Sequence, residues 1–324
     1  MPDISFIIPA LNEKETLRYT LANLFKTVTQ QSFEVIVVDD GSEEDLSGEL
    51  IDPGKVIYIK NHQRLGVSKS RNRGARQARG QVLVFLDAHV CFVGDWLSKI
   101  LKKRKQFKDA VMGIMTYPLT DIQVFWEIAL SGVPPKKKIK SQPCYGFTMT
   151  SLPMPELHAI SSKRFHSPFE VPIVTARAMI VEKNLFFELG GFLNELTGYG
   201  ALEDTEFCMR AWIFGKKVLA FADTECYHCL YGPRSTKSTR VEYEKIPFYT
   251  EKYEGGVENA FRIFYLHSSE NQFKQLIDFH KNLSGFSPNL SAILTDELKA
   301  QKEWISKKRI HDEDWLFQRM KKVG

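Results

Sequence analysis

The feature that most constrains this chain is a pairing repeated through its first hundred residues: a short apolar run, then a polar cluster that stops it. Ser5-Phe6-Ile7-Ile8 stops at Pro9, and Phe33 to Val38 stops at Asp39-Asp40-Gly41-Ser42. Gln81 to Leu86 stops at Asp87-Ala88-His89, and Val56-Ile57-Tyr58-Ile59 adds a further run. Short apolar runs bounded by proline, glycine and aspartate read as buried strands. Between them the period changes. After Glu15, the residues Leu17, Leu21, Leu24, Phe25 and Val28 fall on one helical face, and Gly66 to Arg79 reads as a basic helix. Strands separated by helices imply an α/β fold, a Rossmann-like and mostly parallel twisted sheet with helices on its faces. Open sheets of this kind bind ligands at the carboxyl ends of their strands, which is where each polar cluster falls.

The chain of 324 residues suits one large α/β domain with a smaller appendage. Val174 to Val181 reads as a strand, Lys183 to Leu189 as a short helix stopped by Gly190-Gly191, and Thr205 to Phe214 as a helix ended by Gly215. Lys217 to Ala222 is a strand leading to Tyr227-His228. Gly132 to Lys140 is a basic, proline-marked loop, either solvated or in contact with an acceptor or lipid. After about residue 235 the rhythm changes to helices at Asn259–Leu266, Asn271–Leu283 and Leu298–Arg309, with no strand signal. The expected division is a catalytic domain over 1–235 and a helical region over 236–324. Acceptor docking, a lid, dimerisation or simple covering of the sheet all remain open for that region. Trp304, Trp315 and Phe317 read as core or interface anchors before sugar platforms.

Charge excludes little but points one way. The net charge of +5 is mild; it suits an anionic small-molecule substrate or weak attraction to a membrane surface and does not call for nucleic acid. No stretch approaches the ~20 apolar residues of a transmembrane span, and Met1-Pro2-Asp3 lacks the basic start of a secretory signal. Five scattered cysteines fit a reducing compartment, so the expectation is a cytoplasmic protein, peripheral to a membrane at most. Cys226-Tyr-His-Cys229 has the spacing of half a zinc knuckle but no second pair, and buried thiols are the plainer reading.

Several positions carry chemistry. In an extended backbone Asp87 and His89 point to the same side, so Asp-x-His at a strand end is half of a site for Mn²⁺ or a similar ion. The alternative is a capping aspartate and a packing histidine. Asp39-Asp40 before Gly41 marks a turn and also offers a carboxylate to a base N–H or a ribose hydroxyl. Arg71 opens the basic helix with a planar fork suited to phosphate. His228 taken alone reads as a core or capping histidine.

Taken in order, Phe6-Ile7-Ile8-Pro9-Ala10-Leu11-Asn12-Glu13, Val37-Val38-Asp39-Asp40-Gly41-Ser42, Arg71-Asn72-x-Gly74 and Phe85-Leu86-Asp87-Ala88-His89 resemble the family-2 glycosyltransferases of the GT-A fold. Gly190-Gly191-Phe192, Glu203-Asp204-x-Glu206-Phe207, Arg210 and His228 make the chain similar to the polypeptide N-acetylgalactosaminyltransferases. The resemblance covers residues 4 to 235. It implies metal-dependent transfer of a sugar from a nucleotide-diphosphate donor, UDP-linked, to a peptide or protein side chain or to a glycan. It implies that Pro9, Ala10, Asn12 and Glu13 line the nucleoside pocket and that Asp40 contacts uridine. It further assigns Arg71, Asp87 and Ala88 to the donor, and Mn²⁺ or Mg²⁺ to Asp87, His89 and His228. Glu203 and Asp204 become the catalytic pair, with Asp204 as base or, on the local reading, as a helix N-cap. There is a departure. The N-acetylgalactosaminyltransferases retain anomeric configuration and carry Asn beside that Glu, whereas Asp204 favours inversion. Gly198-Tyr199-Gly200-Ala201 reads as a mobile loop beside the donor sugar, and Arg234 as a lid residue or an exposed arginine. A nucleotidyltransferase is disfavoured because Pro9 to Glu13 lacks a glycine-rich basic loop. The non-enzymatic alternative is a nucleotide-sugar-binding scaffold.

Overall fold

The computed structural model describes residues 1–50, 52, 54–136, 139, 141–149, 156–161, 167–198, 202–230, 246–247, 256–284 and 289–322. The first elements follow the alternation set by the sequence: β1 (Ile4–Ala10), α1 (Lys14–Thr27), β2 (Phe33–Asp39), β3 (Val56–Lys60), α2 (Val67–Gln77) and β4 (Val82–Leu86). Next come β5 (Val90–Phe92), α3 (Trp96–Arg104), β6 (Ala110–Leu119), α4 (Ile122–Ser131), β7 (Phe147–Met149), β8 (Glu156–Ala159) and β9 (Phe169–Glu170). They lead to β10 (Ala178–Glu182), α5 (Lys183–Glu188), α6 (Glu203–Ile213) and β11 (Lys217–Cys229). The chain continues through β12 (Ile246–Pro247), α7 (Gly256–His267), α8 (Glu270–Ser284), α9 (Leu290–Ile293), α10 (Asp296–Lys308) and α11 (Glu313–Lys321).

The large sheet has the order β3-β2-β1-β4-β10-β6-β11-β5, with β9 paired to β11. Its first half is parallel, as expected from the βαβ rhythm. In the second half β10 runs antiparallel between β4 and β6, and β11 is parallel to β6. The carboxyl ends of β1, β2, β4 and β11 therefore share one edge. That edge collects Pro9 to Glu13, Asp39-Asp40, Asp87 to His89 and His228. A smaller sheet, β12-β8-β7, lies apart. The expectation of no strand after residue 235 is corrected by β12. It has two residues, too few to show any period, and it pairs with β8. The strand expected over 174–181 is shorter at its start, because residues 174–177 form the approach to β10.

Two apolar cores lie on the sheet's faces. One holds α1 and α3 against Phe6, Ile8, Val84 and Leu86; the other holds α2, α5 and α6 against Ile7, Phe85 and Met179. The second core also takes in Phe261, Phe264, Leu298, Leu316 and Phe317, so helices α7, α10 and α11 bury their apolar faces on the same mass. Trp304 and Trp315 pack against it, as core anchors do. Gly74 shows how close α2 approaches: a Cβ there would stand 2.6 Å from Ile7 Cγ2.

A charged link inside this core joins the helical region to α6. Glu206, Arg210 and His267 are all fully buried. Glu206 pairs with Arg210 one turn on, and His267 Nε2 lies 3.0 Å from Glu206 Oε1. Arg210 also donates to Leu189 O and Gly191 O, each at 2.7 Å. Buried charges persist only when paired in this way. Among the described residues no helix is long and apolar enough to cross a membrane. All five cysteines are free and buried, Cys226 and Cys229 within β11.

Candidate active site

The exit of β1 is fixed first. Asn12 has φ +54°, a left-handed conformation that asparagine tolerates better than most residues. Its backbone N–H donates to Ser42 Oγ at 2.9 Å and its Oδ1 accepts from the Glu43 N–H at 2.9 Å. This bridge ties the β1 exit to the turn after β2. Asp39 stabilises the same turn, accepting from the Ser42 N–H at 2.7 Å and from the Tyr58 hydroxyl at 2.6 Å.

Asp40 is 5% exposed. Its Oδ1 accepts from Asn61 Nδ2, the Leu65 N–H and Ser70 Oγ at 2.8 to 2.9 Å. Its Oδ2 accepts from the Gly66 N–H at 2.9 Å. The carboxylate thus shapes residues 61–66 and the start of α2. A cavity of about 100 Å³ opens beside it, lined by Pro9, Ala10, Leu11, Glu13, Asp40, Arg64, Gly66, Val67, Asp87, Ala88, His89 and Gly198. Of the residues expected at the nucleoside, Asn12 alone is absent from that lining and instead holds its wall.

Two of these lining residues, Asp87 and His89, meet His228, and the three bring one ligand atom each within 4.8 Å of one another. The two imidazole Nε2 atoms face each other at 3.0 Å, and Asp87 Oδ2 stands 3.3 Å from His228 Nε2. Each ring contributes its Nε2 to the same small space, and His228 Nδ1 is buried with no hydrogen-bond partner among the described residues. A carboxylate and two imidazoles suit a borderline divalent ion such as Mn²⁺ better than Mg²⁺, which prefers oxygen ligands. The residues present therefore fit a divalent ion. The strand β11 brings His228 here by pairing His228 with Val90 of β5, which follows His89.

The surroundings set the charges. Burial opposes ionisation of Asp87, but the His228 hydrogen bond and the Arg71 and His89 charges outweigh it and hold the carboxyl well below its usual range. Burial pushes His228 down to about 3, against the pull of Asp87. Burial also depresses His89, yet Glu13, 3.4 Å from its Nδ1, and Asp87 more than reverse this, so His89 rises above its ordinary value. Glu13 is disfavoured as an anion by burial but is lowered on balance by His89 and a 2.5 Å bond from Thr16.

Arg71 is 3% exposed and is committed within the fold. It pairs with Glu203, donates to Asp87 Oδ1 at 2.7 Å and reaches Ala176 O at 3.3 Å. Asp204, next to Glu203, is half-buried. Its Oδ2 accepts from the Ala176 N–H at 3.2 Å and its Oδ1 from the Thr205 N–H at 2.7 Å. Asp204 lies inside the first turn of α6; the cap position belongs to Leu202, which has φ +59° and offers no side-chain cap. The structure thus brings Arg71, Asp87, His89, Glu203, Asp204 and His228 into one neighbourhood, of which Asp87 and His89 line the cavity. Tyr199 to Ala201, Lys137, Lys138, Lys140 and Arg234 lie outside the described residues.

Sequence reasoning missed the parts that hold this group. Thr20 of α1 accepts from the Val90 N–H at 3.1 Å and donates to Ala88 O at 3.0 Å, which fixes the turn carrying His89. Its signal was weak: a threonine on the apolar face of a helix. Asn72 and Phe192 were quoted in the sequence motifs without a role; Asn72 holds Phe192 by both N–H and C=O, at 2.9 and 2.7 Å, and donates to Asn194 Oδ1 at 2.9 Å. Glu13 was expected at the nucleoside and also partners His89. Arg177, which no motif included, acts on the charges of the cluster.

Residues 5–158 match the model of the family described as Glycosyl transferase family 2. The matched segment, just under half of the chain, is similar to that family. The chain is 29% identical over 229 residues to Polypeptide N-acetylgalactosaminyltransferase 11 of Xenopus tropicalis, covering 68% of this chain and 37% of that one. It is 28% identical over 207 residues to an uncharacterized glycosyltransferase of Haemophilus influenzae, covering 64% and 61% respectively. The chain spans little more than a third of the N-acetylgalactosaminyltransferases it matches. Among solved structures it is similar to GalNAc-T7 with UDP, GalNAc and Mn²⁺, at TM-score 0.70 and 19% identity over 98% of this chain and 56% of that one. It is also similar to S. aureus TarS 1–349 in complex with UDP-GlcNAc, at TM-score 0.52 and 15% identity over 98% and 90%. At these identities the likeness establishes the fold, which is GT-A, and the segment that matches the family model contains Asp87 and His89.

Proposed function

We propose that this protein is a metal-dependent glycosyltransferase that moves a sugar from a UDP-linked donor to a hydroxyl on a peptide, protein or glycan. The observation that carries the proposal is the Asp87, His89 and His228 group beside a cavity, with Asp87 and His89 in the segment similar to family 2. These three residues would hold Mn²⁺ or Mg²⁺, and the ion would offset the charge that gathers on the departing diphosphate. The similar GalNAc-T7 structure, solved with UDP and Mn²⁺, supports this choice of ion and nucleotide.

The chain's own residues divide the remaining work. Pro9, Ala10, Leu11 and Val67 give the cavity an apolar wall for the base, and Asp40 holds the loop that borders it. Arg71 fixes Asp87 and Glu203 in register, so that Glu203 positions the site and is itself paired. Asp204 is more open, and takes the proton as the acceptor oxygen attacks. A bond forms from that oxygen to the anomeric carbon. The bond from the anomeric carbon to the diphosphate oxygen breaks, and its electron pair leaves with the diphosphate. Attack opposite the leaving group inverts the centre, which is the outcome an aspartate base supports.

The test is donor turnover with Mn²⁺, with and without chelator, read by product NMR for anomeric configuration. Mn²⁺-dependent transfer with inversion supports the proposal. Turnover that is equal with and without metal contradicts the metal role, and a retained configuration contradicts Asp204 as base. Polypeptide N-acetylgalactosaminyltransferases among the relatives favour a peptide acceptor, and mass spectrometry of candidate peptides and glycans separates the two.

A further inference from the structure

Helix α7 lies beyond the segment similar to family 2, yet two of its buried side chains reach the residues around the cavity. At its end His267 Nε2 faces Glu206 of α6 at 3.0 Å. Near its start Asn259, fully buried, holds the backbone of Thr197 by both of its polar groups. The Thr197 N–H donates to Asn259 Oδ1 at 3.1 Å, and Asn259 Nδ2 donates to the Thr197 carbonyl at 2.7 Å. Arg262 Nη1 also donates to Asn259 Oδ1, at 3.0 Å. That third bond fixes the amide's orientation: its oxygen takes the two donors, and its NH₂ is left for the carbonyl. Asn259 and His267 stand about 12 Å apart along the helix. The helix is therefore anchored at both ends, and Asn259 is a fixed point to which Thr197 is tied.

Thr197 precedes Gly198, which lines the cavity together with Gly66. The two glycines come from distant parts of the chain and meet there. A Cβ on Gly66 would stand 3.7 Å from the Gly198 nitrogen and 4.0 Å from Leu196 O and Thr197 Cα. Neither glycine has a side chain to adjust, so the shape of this wall follows the position of the backbone alone. Asp40 holds the Gly66 N–H at 2.9 Å, and Asn259 holds Thr197 beside Gly198. One residue from the sheet edge and one from the helical region thus set the two sides of the same wall.

We propose that Asn259 is a positioning residue for the nucleotide pocket, so that the helical region forms part of the donor site. This rests on the glycosyltransferase reading above. Asn259 does not line the cavity; it acts through Thr197 and Gly198. Without it the Thr197 N–H and carbonyl lose their partners, and a bound nucleotide has to order a wall that is otherwise ready for it, which lowers affinity.

The experiment titrates the full chain with UDP in the presence of Mn²⁺, comparing wild type, Asn259→Ala, Asn259→Asp and Leu298→Ala. Leu298 of α10 is buried in the same core and lies outside the cavity lining, so its variant loosens the helical region without releasing Thr197. All are compared at a temperature where circular dichroism shows them folded, so that the folded fraction does not enter the affinity. The expected result is a loss of UDP affinity of roughly 10-fold in Asn259→Ala, with Leu298→Ala within about two-fold of wild type although both unfold at lower urea. Asn259→Asp keeps an acceptor for Thr197 N–H and Arg262 but sets an oxygen against the Thr197 carbonyl, and is also expected to lose affinity. If Asn259→Ala fails to fold, the Asp variant carries the same comparison. Unchanged UDP affinity in the folded Asn259 variants overturns the proposal, and so does an equal loss in Leu298→Ala, which would make the effect one of general loosening. A wild type that binds no UDP with Mn²⁺ strikes the glycosyltransferase reading itself, whereas a binding wild type with unaltered variants strikes this inference alone.

Discussion

Asp40 and Asp87 follow β2 and β4, the two strands that flank β1, at the same edge of the sheet, yet they sit in opposite kinds of surroundings. Asp40 is surrounded by donors of the chain itself, at Asn61, Leu65, Gly66 and Ser70. Asp87 takes one bond from Arg71 and then faces two imidazoles whose nitrogens crowd a common point. The first arrangement is satisfied without a ligand. The second gathers electron-pair donors around a space that only a proton or a cation suits. Both carry the same residue type after the same strand pattern, so the difference lies in what the fold brings near: backbone N–H groups at one, β11 at the other.

The largest effect that would sharpen this contrast is on activity. Loss of a group that merely supports a metal ligand typically costs 10- to 100-fold, so changing a ligand itself, in Asp87→Asn, is expected to lower Mn²⁺-dependent transfer by more than about 100-fold. Initial rates across a Mn²⁺ titration check it; a rate within a few-fold of wild type would break the contrast. His89→Ala is expected to lose metal dependence as well, while urea midpoints shift little, because His89 lines the cavity and not the apolar core.

Asp40→Asn should behave the other way. It keeps the shape but turns an amide NH₂ toward groups that are themselves donors, with an expected cost of about 2–3 kcal/mol. Urea unfolding measures it, and a neutral result would mean that the loop has solvent alternatives. Gly74→Ala is expected to cost about 1–3 kcal/mol, because its Cβ would crowd Ile7 across the α2–β1 contact.

The smallest expected effect tests the link between α6 and the helical region. Burial depresses His267 from its ordinary 6.5, so it stays neutral in the fold while the unfolded chain takes up a proton. Stability is then lost as pH falls below about 6.5. Glu206 is disfavoured by burial but lowered on balance by Arg210 and His267, so its contribution is present above 4.5 and is lost as pH falls further. Both act in the same direction. His267→Gln should flatten the melting temperature between pH 6.5 and 5; an unchanged slope would count against this account.

The nucleotide side was legible because its chemistry is local. Strand, stop and turn follow one another within ten residues, and Asp39, Asp40, Asp87 and His89 sit where the pattern placed them. The metal side depends on contacts across long stretches of chain. His228 reaches His89 only through the pairing of β11 with β5, and three-residue strands such as β5 show no period. Arg71 read as a donor arginine because its partner Glu203 lies 132 residues away. Of the helices after residue 255, α7, α8 and α10 were readable from period alone, whereas α9 and α11 were not expected.

The measurement that tests the central claim most directly is Mn²⁺ binding by electron paramagnetic resonance with UDP present, for wild type, Asp87→Asn and His228→Ala. One bound ion is expected in the wild type and severe loss in both variants, with their folded circular dichroism retained. Undiminished Mn²⁺ binding in both folded variants would contradict it.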